Sequence, residues 1–237
     1  MNFKGKNAIV TGGGRGLGKA VALLLAKEGA NIGITGRNEE NLKATVAEIK
    51  SLGVNAAYSI FSIDEESAVK TGINSLVEQL GSVDILINNA GIGNFGSIED
   101  MSSETWEQVI KTNLFGVYYT AKAVYPFFKN QGEGDIVNVS STAGLKGGPN
   151  MSAYAASKAA VVSLSQSMMA EWRKQNIRVI TLTPSTIASD MSIQGGLTDG
   201  NPDKVLQPED FAEWVRDILK MNRRALIANG SIFSTNP

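Results

Sequence analysis

The chain has no cysteine and no histidine among its 237 residues. The first absence excludes disulfides, thiolate catalysis and zinc–thiolate sites. The second removes the usual general base and the commonest metal ligand, so no metal site is expected. Any proton transfer falls to Asp, Glu, Lys, Tyr or water. An excess of one charge is also lacking: 22 basic residues stand against 23 acidic ones, for a net charge of −1. Nothing in that balance attracts a polyanion, which argues against nucleic acid as a main partner. Long hydrophobic runs are missing as well. "AVALLLA", Ala20 to Ala26, is far too short to span a membrane. The opening "MNFKGKNAIVTGG" lacks the apolar core of a signal peptide. A soluble, intracellular, cytoplasmic protein without membrane contact is expected.

What is present is a regular alternation. Hydrophobic residues make up 43% of the chain, enough for one large core, and a single domain over residues 1–237 is expected. Short β-branched runs mark strands at Asn7 to Thr11, Asn31 to Thr35, Val54 to Phe61, Val83 to Asn88, Gly134 to Ser141, Ile177 to Thr183 and Ala225 to Ala228. Helical patterns lie between them. They include a long helix from Ser103 to Asn130 and another from Ala153 to Gln175. Asn38 is a good N-cap with Glu39 and Glu40 behind it, and Gly53 and Gly81 are stops. Apolar strands alternating with helices imply a parallel sheet covered on both faces. The expected fold is a three-layer, doubly wound, Rossmann-type α/β architecture. Ligands of such folds sit outside the carboxyl ends of the strands.

After the first strand comes "TGGGRGLG", Thr11 to Gly18. Glycines let backbone approach a pyrophosphate, and the next helix offers its free amides. Gly12, Gly14, Arg15, Gly16, Leu17 and Gly18 are the candidate nucleotide contacts. The loop lacks the strict G-x-G-x-x-G spacing. It does contain G-x-x-x-x-G-K, but Ala20 replaces the hydroxyl residue that would hold magnesium, which weakens an ATPase reading. After the second strand an NAD site usually has an acid for the ribose 2′-hydroxyl. Here Gly36 and Arg37 stand instead, and Arg37 with Arg15 suits a 2′-phosphate, favouring NADP(H). After the fourth strand, "NNAG" offers Asn89, Ala90 and Gly91 as cofactor contacts or as a brace for the site. After the fifth, either Ser140 or Ser141 can simply start a loop or can hydrogen-bond a substrate oxygen.

Two features lie on helices. Asn113 and Gly116 interrupt an otherwise regular amphipathic helix and read as a kink or a packing need. Tyr154 and Lys158 are four residues apart on one helical face. A free tyrosine, with a pKa of about 10, is a poor base, and a nearby ammonium lowers that value. The pair can therefore serve as acid or base where histidine is absent, although such spacing also arises by chance.

Together, "TGGGRGLG", "NNAG", Asn113, "NVSS" and "YAASK" resemble the short-chain dehydrogenase/reductase family over nearly the whole chain. Among its members the chain looks most like the 3-oxoacyl-acyl-carrier-protein reductases. The resemblance implies that Ser141 polarises a substrate carbonyl and that Tyr154 transfers the proton. It also implies that Lys158 lowers the tyrosine pKa and holds the nicotinamide ribose, and that Asn113 helps position a water in a relay to Lys158. The cofactor supplies the hydride. Pro184, Ile187 and Ser189 are further candidate cofactor contacts. Four departures stand out: Ser62 where an Asp commonly meets adenine, Ser185 after Pro184, Ser189 in place of a Thr, and "GSIFSTNP" at the C-terminus. An NADPH-dependent carbonyl reductase, plausibly of 3-oxoacyl thioesters, is the leading expectation. A dehydrogenase or reductase of another alcohol or ketone, and a non-catalytic NADP-binding protein, remain open. The loop from Ser185 to Gln207 carries the substrate choice. If an acidic acyl carrier protein is a partner, Lys129, Arg173 and Lys174 are the candidate rim. The long helices carry apolar faces that are largely core, and the resemblance implies that part of them packs against further copies in a homodimer or homotetramer.

Overall fold

A computed structural model describes residues 3–235. The chain alternates strand and helix as β1 (Asn7–Thr11), α1 (Gly16–Lys27), β2 (Asn31–Gly36), α2 (Glu39–Ser51), β3 (Ala56–Ile60), α3 (Glu66–Leu80) and β4 (Ile85–Asn88). It continues as α4 (Ser103–Ile110), a π-helical turn (Lys111–Phe115), α5 (Gly116–Gln131), β5 (Gly134–Val139), α6 (Ser152–Trp172), β6 (Ile177–Pro184), α7 (Asp190–Gln194), α8 (Pro208–Lys220) and β7 (Asn229–Ile232). Met1, Asn2, Asn236 and Pro237 lie outside the described residues, the last two being the end of the "GSIFSTNP" segment.

The strands form one sheet in the order β3-β2-β1-β4-β5-β6-β7, every pair parallel. Alternation along each strand builds two cores. Ala8, Val10, Ile32, Ile34, Ile85, Ile87, Ile180 and Leu182 face α1, α2 and α8. Ile9, Leu86, Ile136, Ile177 and Val179 face α3, α5 and α6. Each such fully buried side chain contributes about 1.5–3 kcal/mol, which sustains the three-layer doubly wound arrangement that the alternation implies. β1 pairs with β2 on one side and β4 on the other, so the winding reverses there and leaves a crevice at the strands' carboxyl ends.

Two elements differ from the sequence expectation. The long helix is broken into α4 and α5 by the π turn, and Asn113 sits in its middle. The last strand is Asn229–Ile232, not Ala225 to Ala228. Leu226 and Ile227 are apolar because they pack against the core as loop. Pairing starts one residue later, where the Thr183 hydroxyl bonds the Gly230 carbonyl at 2.8 Å and meets the Ser231 hydroxyl at 2.7 Å. Among the described residues, no helix is long and apolar enough to cross a membrane.

Candidate active site

A cavity of about 1000 Å³ follows the carboxyl ends of β1, β2, β4, β5 and β6. Its lining includes Gly12, Gly14, Arg15, Gly16, Leu17, Arg37, Asn89, Ala90, Gly91, Ser141, Tyr154, Lys158, Pro184, Ile187 and Ser189. Two predicted residues do not line it. Gly18 packs behind the glycine loop, where an added Cβ would fall 2.3 Å from the Gly12 carbonyl oxygen. Glycine is required there by close approach, not by ligand contact. Asn113 lies behind Ile92.

The glycine-loop end is built to receive an anion. The α1 N-terminus starts at Gly16 with Arg15 as its N-cap, and no side chain caps it. Unpaired amides and the positive end of the helix dipole therefore face the cavity. The "NNAG" segment is fastened to β1: the Asn89 and Ala90 amides both donate to the Thr11 hydroxyl at 3.0 Å, and Asn89 Nδ2 donates to the Thr11 carbonyl at 3.0 Å. Asn88 is a buried brace, its amide donating to Asn138 Oδ1 at 2.9 Å while its Oδ1 accepts from Thr120 at 2.6 Å. The two asparagines thus have different tasks.

At the Arg37 end the geometry adds detail that the sequence missed. Arg37 is exposed, as a phosphate-binding arginine must be. Ser62, which replaces the expected acid, donates its hydroxyl to Asp64, and Gln108 donates to the other Asp64 oxygen at 2.6 Å. The Ser62 hydrogen bond, Gln108 and the positive field of Arg37 hold the Asp64 carboxyl below its usual range. Asp64, which follows β3, thus lies within the field of Arg37. Arg15 is not free either: it pairs with Asp190 of α7 at 2.9 Å across the mouth of the cavity. Both partners are highly exposed, so that pair is weak and easily exchanged for a ligand. The Ser189 hydroxyl, expected to face a cofactor, caps α7 by accepting from the Ser192 amide at 3.3 Å.

Under the crevice the two serines separate. Ser140 is buried and donates to the Lys158 carbonyl at 2.7 Å. Ser141 turns toward Tyr154 and hydrogen-bonds it, while its oxygen accepts from the Ala143 amide at 3.1 Å. The structure thus leaves Ser141 as the serine that can reach a ligand. Lys158 is buried, with Nζ donating to the Val139 carbonyl at 2.9 Å and lying 5.7 Å from the centre of the Tyr154 ring. Desolvation lowers its pKa to about 8. Tyr154 departs from the expected direction. Burial raises its phenol above the ordinary value, and the Ser141 hydrogen bond opposes that only in part. The ammonium is aimed at a carbonyl rather than at the phenol oxygen, so desolvation decides the outcome.

Asn113 reaches the site through Ile92. Its Oδ1 accepts from the Ile92 amide at 2.8 Å, and its Nδ2 donates to the Ile92 carbonyl at 2.9 Å and to Ser157 at 3.1 Å. These bonds brace the segment after "NNAG". The π turn presents Asn113 at the right angle, a use of π-helical turns common at functional sites. Sequence reading missed Phe95, Leu145, Met151 and Phe233 in the lining, which carry no motif. Lys129, Arg173 and Lys174 end α5 and the turn after α6, whose chains lead into the starts of β5 and β6. That is the opposite edge of the sheet from Ser141.

Residues 6–198 match the family model for short chain dehydrogenases. An uncharacterised oxidoreductase of Thermotoga maritima is 39% identical over 209 residues, 87% of this chain and 82% of that protein. A 3-oxoacyl-acyl-carrier-protein reductase FabG of Staphylococcus aureus is 35% identical over 225 residues, 94% of this chain and 91% of that one. Among solved structures, NAD+-bound xylitol dehydrogenase superposes with a TM-score of 0.90 at 28% identity, covering 99% of this chain and 100% of the other.

Proposed function

The chain belongs to the short-chain dehydrogenase family and is an oxidoreductase, and on that premise we propose that it is an NADP(H)-dependent carbonyl reductase. The observation that carries this reading is that Ser141, Tyr154 and buried Lys158 line the one cavity that also holds the glycine loop. The residues fit a nicotinamide dinucleotide: uncapped α1 amides for the pyrophosphate, Arg37 for a 2′-phosphate, and Lys158 for the ribose next to the ring. When bound, that cofactor supplies the hydride.

The protein's own residues supply the rest. Ser141 and Tyr154 both line the cavity, and their hydroxyls would hydrogen-bond the substrate carbonyl oxygen. A donor aimed at oxygen that gains negative charge in the transition state stabilises it more than the ground state. The raised phenol pKa keeps Tyr154 protonated near neutral pH, which suits proton donation to the nascent alkoxide. Lys158 keeps a positive field beneath the site, and Asn113 fixes the Ile92 backbone that borders it.

The similarity to the Staphylococcus aureus reductase supports 3-oxoacyl thioesters as substrates. The carrier-protein rim is then re-read: Lys146, exposed and in the lining, stands at the mouth. Exposed Phe115 and Tyr118 on the α5 side support assembly with further copies of the chain. Purified protein should oxidise NADPH with acetoacetyl thioesters, faster than it oxidises NADH. The test is a spectrophotometric screen of both cofactors over a carbonyl panel. No oxidation with any carbonyl sinks the proposal, and a clear NADH preference sinks its cofactor half.

A further inference from the structure

The cavity changes character beyond Tyr154. That half is walled by Phe95, Leu145, Met151, Met191, Leu197 and Phe233. Leu145, Leu197 and Phe233 are 57%, 44% and 62% exposed, so three large apolar side chains meet water around one opening. Apolar exposure concentrated at a cavity mouth marks a binding groove. Charge is scarce on this side. Arg15 and Asp190 neutralise one another, Lys158 is tied to Val139, and Arg37 lies at the far end after β2. Lys146 is the remaining charged residue of the lining. A polyol would lose water against those six apolar side chains, which costs affinity.

The apolar wall is built, not incidental. The Phe95 ring stands edge-on to Tyr154, centres 5.6 Å apart at 63°. The segment carrying α7 closes against the same ring: a Cβ added at Gly195 would fall 2.7 Å from Phe95 Cε2. The C-terminal strand end is stitched to both ends of that loop. The Ser185 amide donates to the Ile232 carbonyl at 2.9 Å, and the Leu206 amide donates to the Ser234 hydroxyl at 3.2 Å. Phe233, between these two anchors, is thereby held at the loop's edge of the cavity.

We infer that Phe233, with Leu145 and Leu197, forms a receiving site for an apolar substituent, so the substrate is a carbonyl compound bearing an alkyl or aryl group rather than a polyol. The inference rests on the reductase reading above and deepens it. It also gives the C-terminal segment a role in specificity.

The test uses the full chain with NADPH and unbranched 2-ketones from butanone to 2-octanone, with dihydroxyacetone as the polar comparison. Wild-type kcat/KM should rise about two- to fourfold per added methylene, and dihydroxyacetone should be poor. Phe233→Ala and Leu145→Ala change exposed side chains, so the fold is retained. Each should lower kcat/KM for 2-octanone by about tenfold relative to that for butanone. A flat chain-length series, or Phe233→Ala with the wild-type slope, overturns the inference while the reductase reading stands. Calorimetric titration of the NADPH-loaded protein with 2-octanone decides the case without turnover. Saturable binding weakened by Phe233→Ala supports the site, and no saturable binding overturns it. Ketone binding without reduction of any carbonyl would instead overturn the reductase reading alone.

Discussion

Asn113 holds both polar groups of the Ile92 backbone, its Oδ1 accepting the amide proton at 2.8 Å and its Nδ2 donating to the carbonyl at 2.9 Å. An asparagine is the residue that offers donor and acceptor on one rigid plane. Asn113→Asp keeps the acceptor but places a charged oxygen against the Ile92 carbonyl and the Ser157 hydroxyl. The buried carbonyl then loses its partner, a loss worth about 1–3 kcal/mol. Denaturant unfolding should show Asn113→Asp destabilised by that order. A variant as stable as wild type would mean that the bracing pair contributes nothing.

Tyr154 tests the proton path. Burial holds its phenol above the ordinary tyrosine value, so it is a donor near neutral pH. Tyr154→Phe keeps the ring that packs edge-on with Phe95 and removes the hydroxyl. Turnover should fall by about 100-fold or more, while a fluorescence titration returns a wild-type Kd for NADPH. Undiminished turnover would remove Tyr154 from the chemistry.

The proposed preference for NADP(H) is tested at Arg37 and Asp64. A charge-assisted pair with a 2′-phosphate is worth about 1.5–3 kcal/mol, so Arg37→Ala should weaken NADPH about tenfold or more and hardly change NADH. Asp64→Asn removes the negative charge that acts on Arg37, and should shift preference further toward NADPH. Both are read from paired titrations at one low salt concentration, since screening blunts the effect. Equal losses for the two cofactors in Arg37→Ala would remove Arg37 from 2′-phosphate recognition.

The layered sheet was legible because its signal is repeated: each strand alternates between two cores, and each helix returns to the same edge. Single events were harder. The π turn changes one hydrogen-bonding register within a helical run, and its trace was the poor helix-forming Asn113 and Gly116. β7 was misplaced because apolarity marks burial, and Leu226 and Ile227 are packed into the core without being strand. Ser140 and Ser141 were told apart by the family resemblance and not by local pattern, and the end of β5 sends the Ser140 hydroxyl inward. Charges were the least legible. Nothing local in the sequence says that Arg15 meets Asp190, 175 positions away. Nor could spacing reveal that Lys158 points at Val139, which leaves burial to raise the tyrosine.

Lys158 makes the stability of the cofactor-free protein depend on alkaline pH. Desolvation lowers its pKa from 10.5 to about 8 on folding. Between those values the unfolded chain holds the proton and the folded chain releases it, so the unfolded state binds more protons. Stability contributed by this group therefore rises with pH through that window, at up to about 1.4 kcal/mol per pH unit. Lys158→Met abolishes the titration. It also leaves the Val139 carbonyl without its donor, but that cost does not vary with pH. Other groups titrate alike in both proteins, so the difference between wild type and variant isolates the lysine. Unfolding free energies measured from near neutrality to about pH 10 should show the variant losing ground to wild type as pH rises past about 8. A difference that stays constant over that range would mean that Lys158 titrates as it does in water.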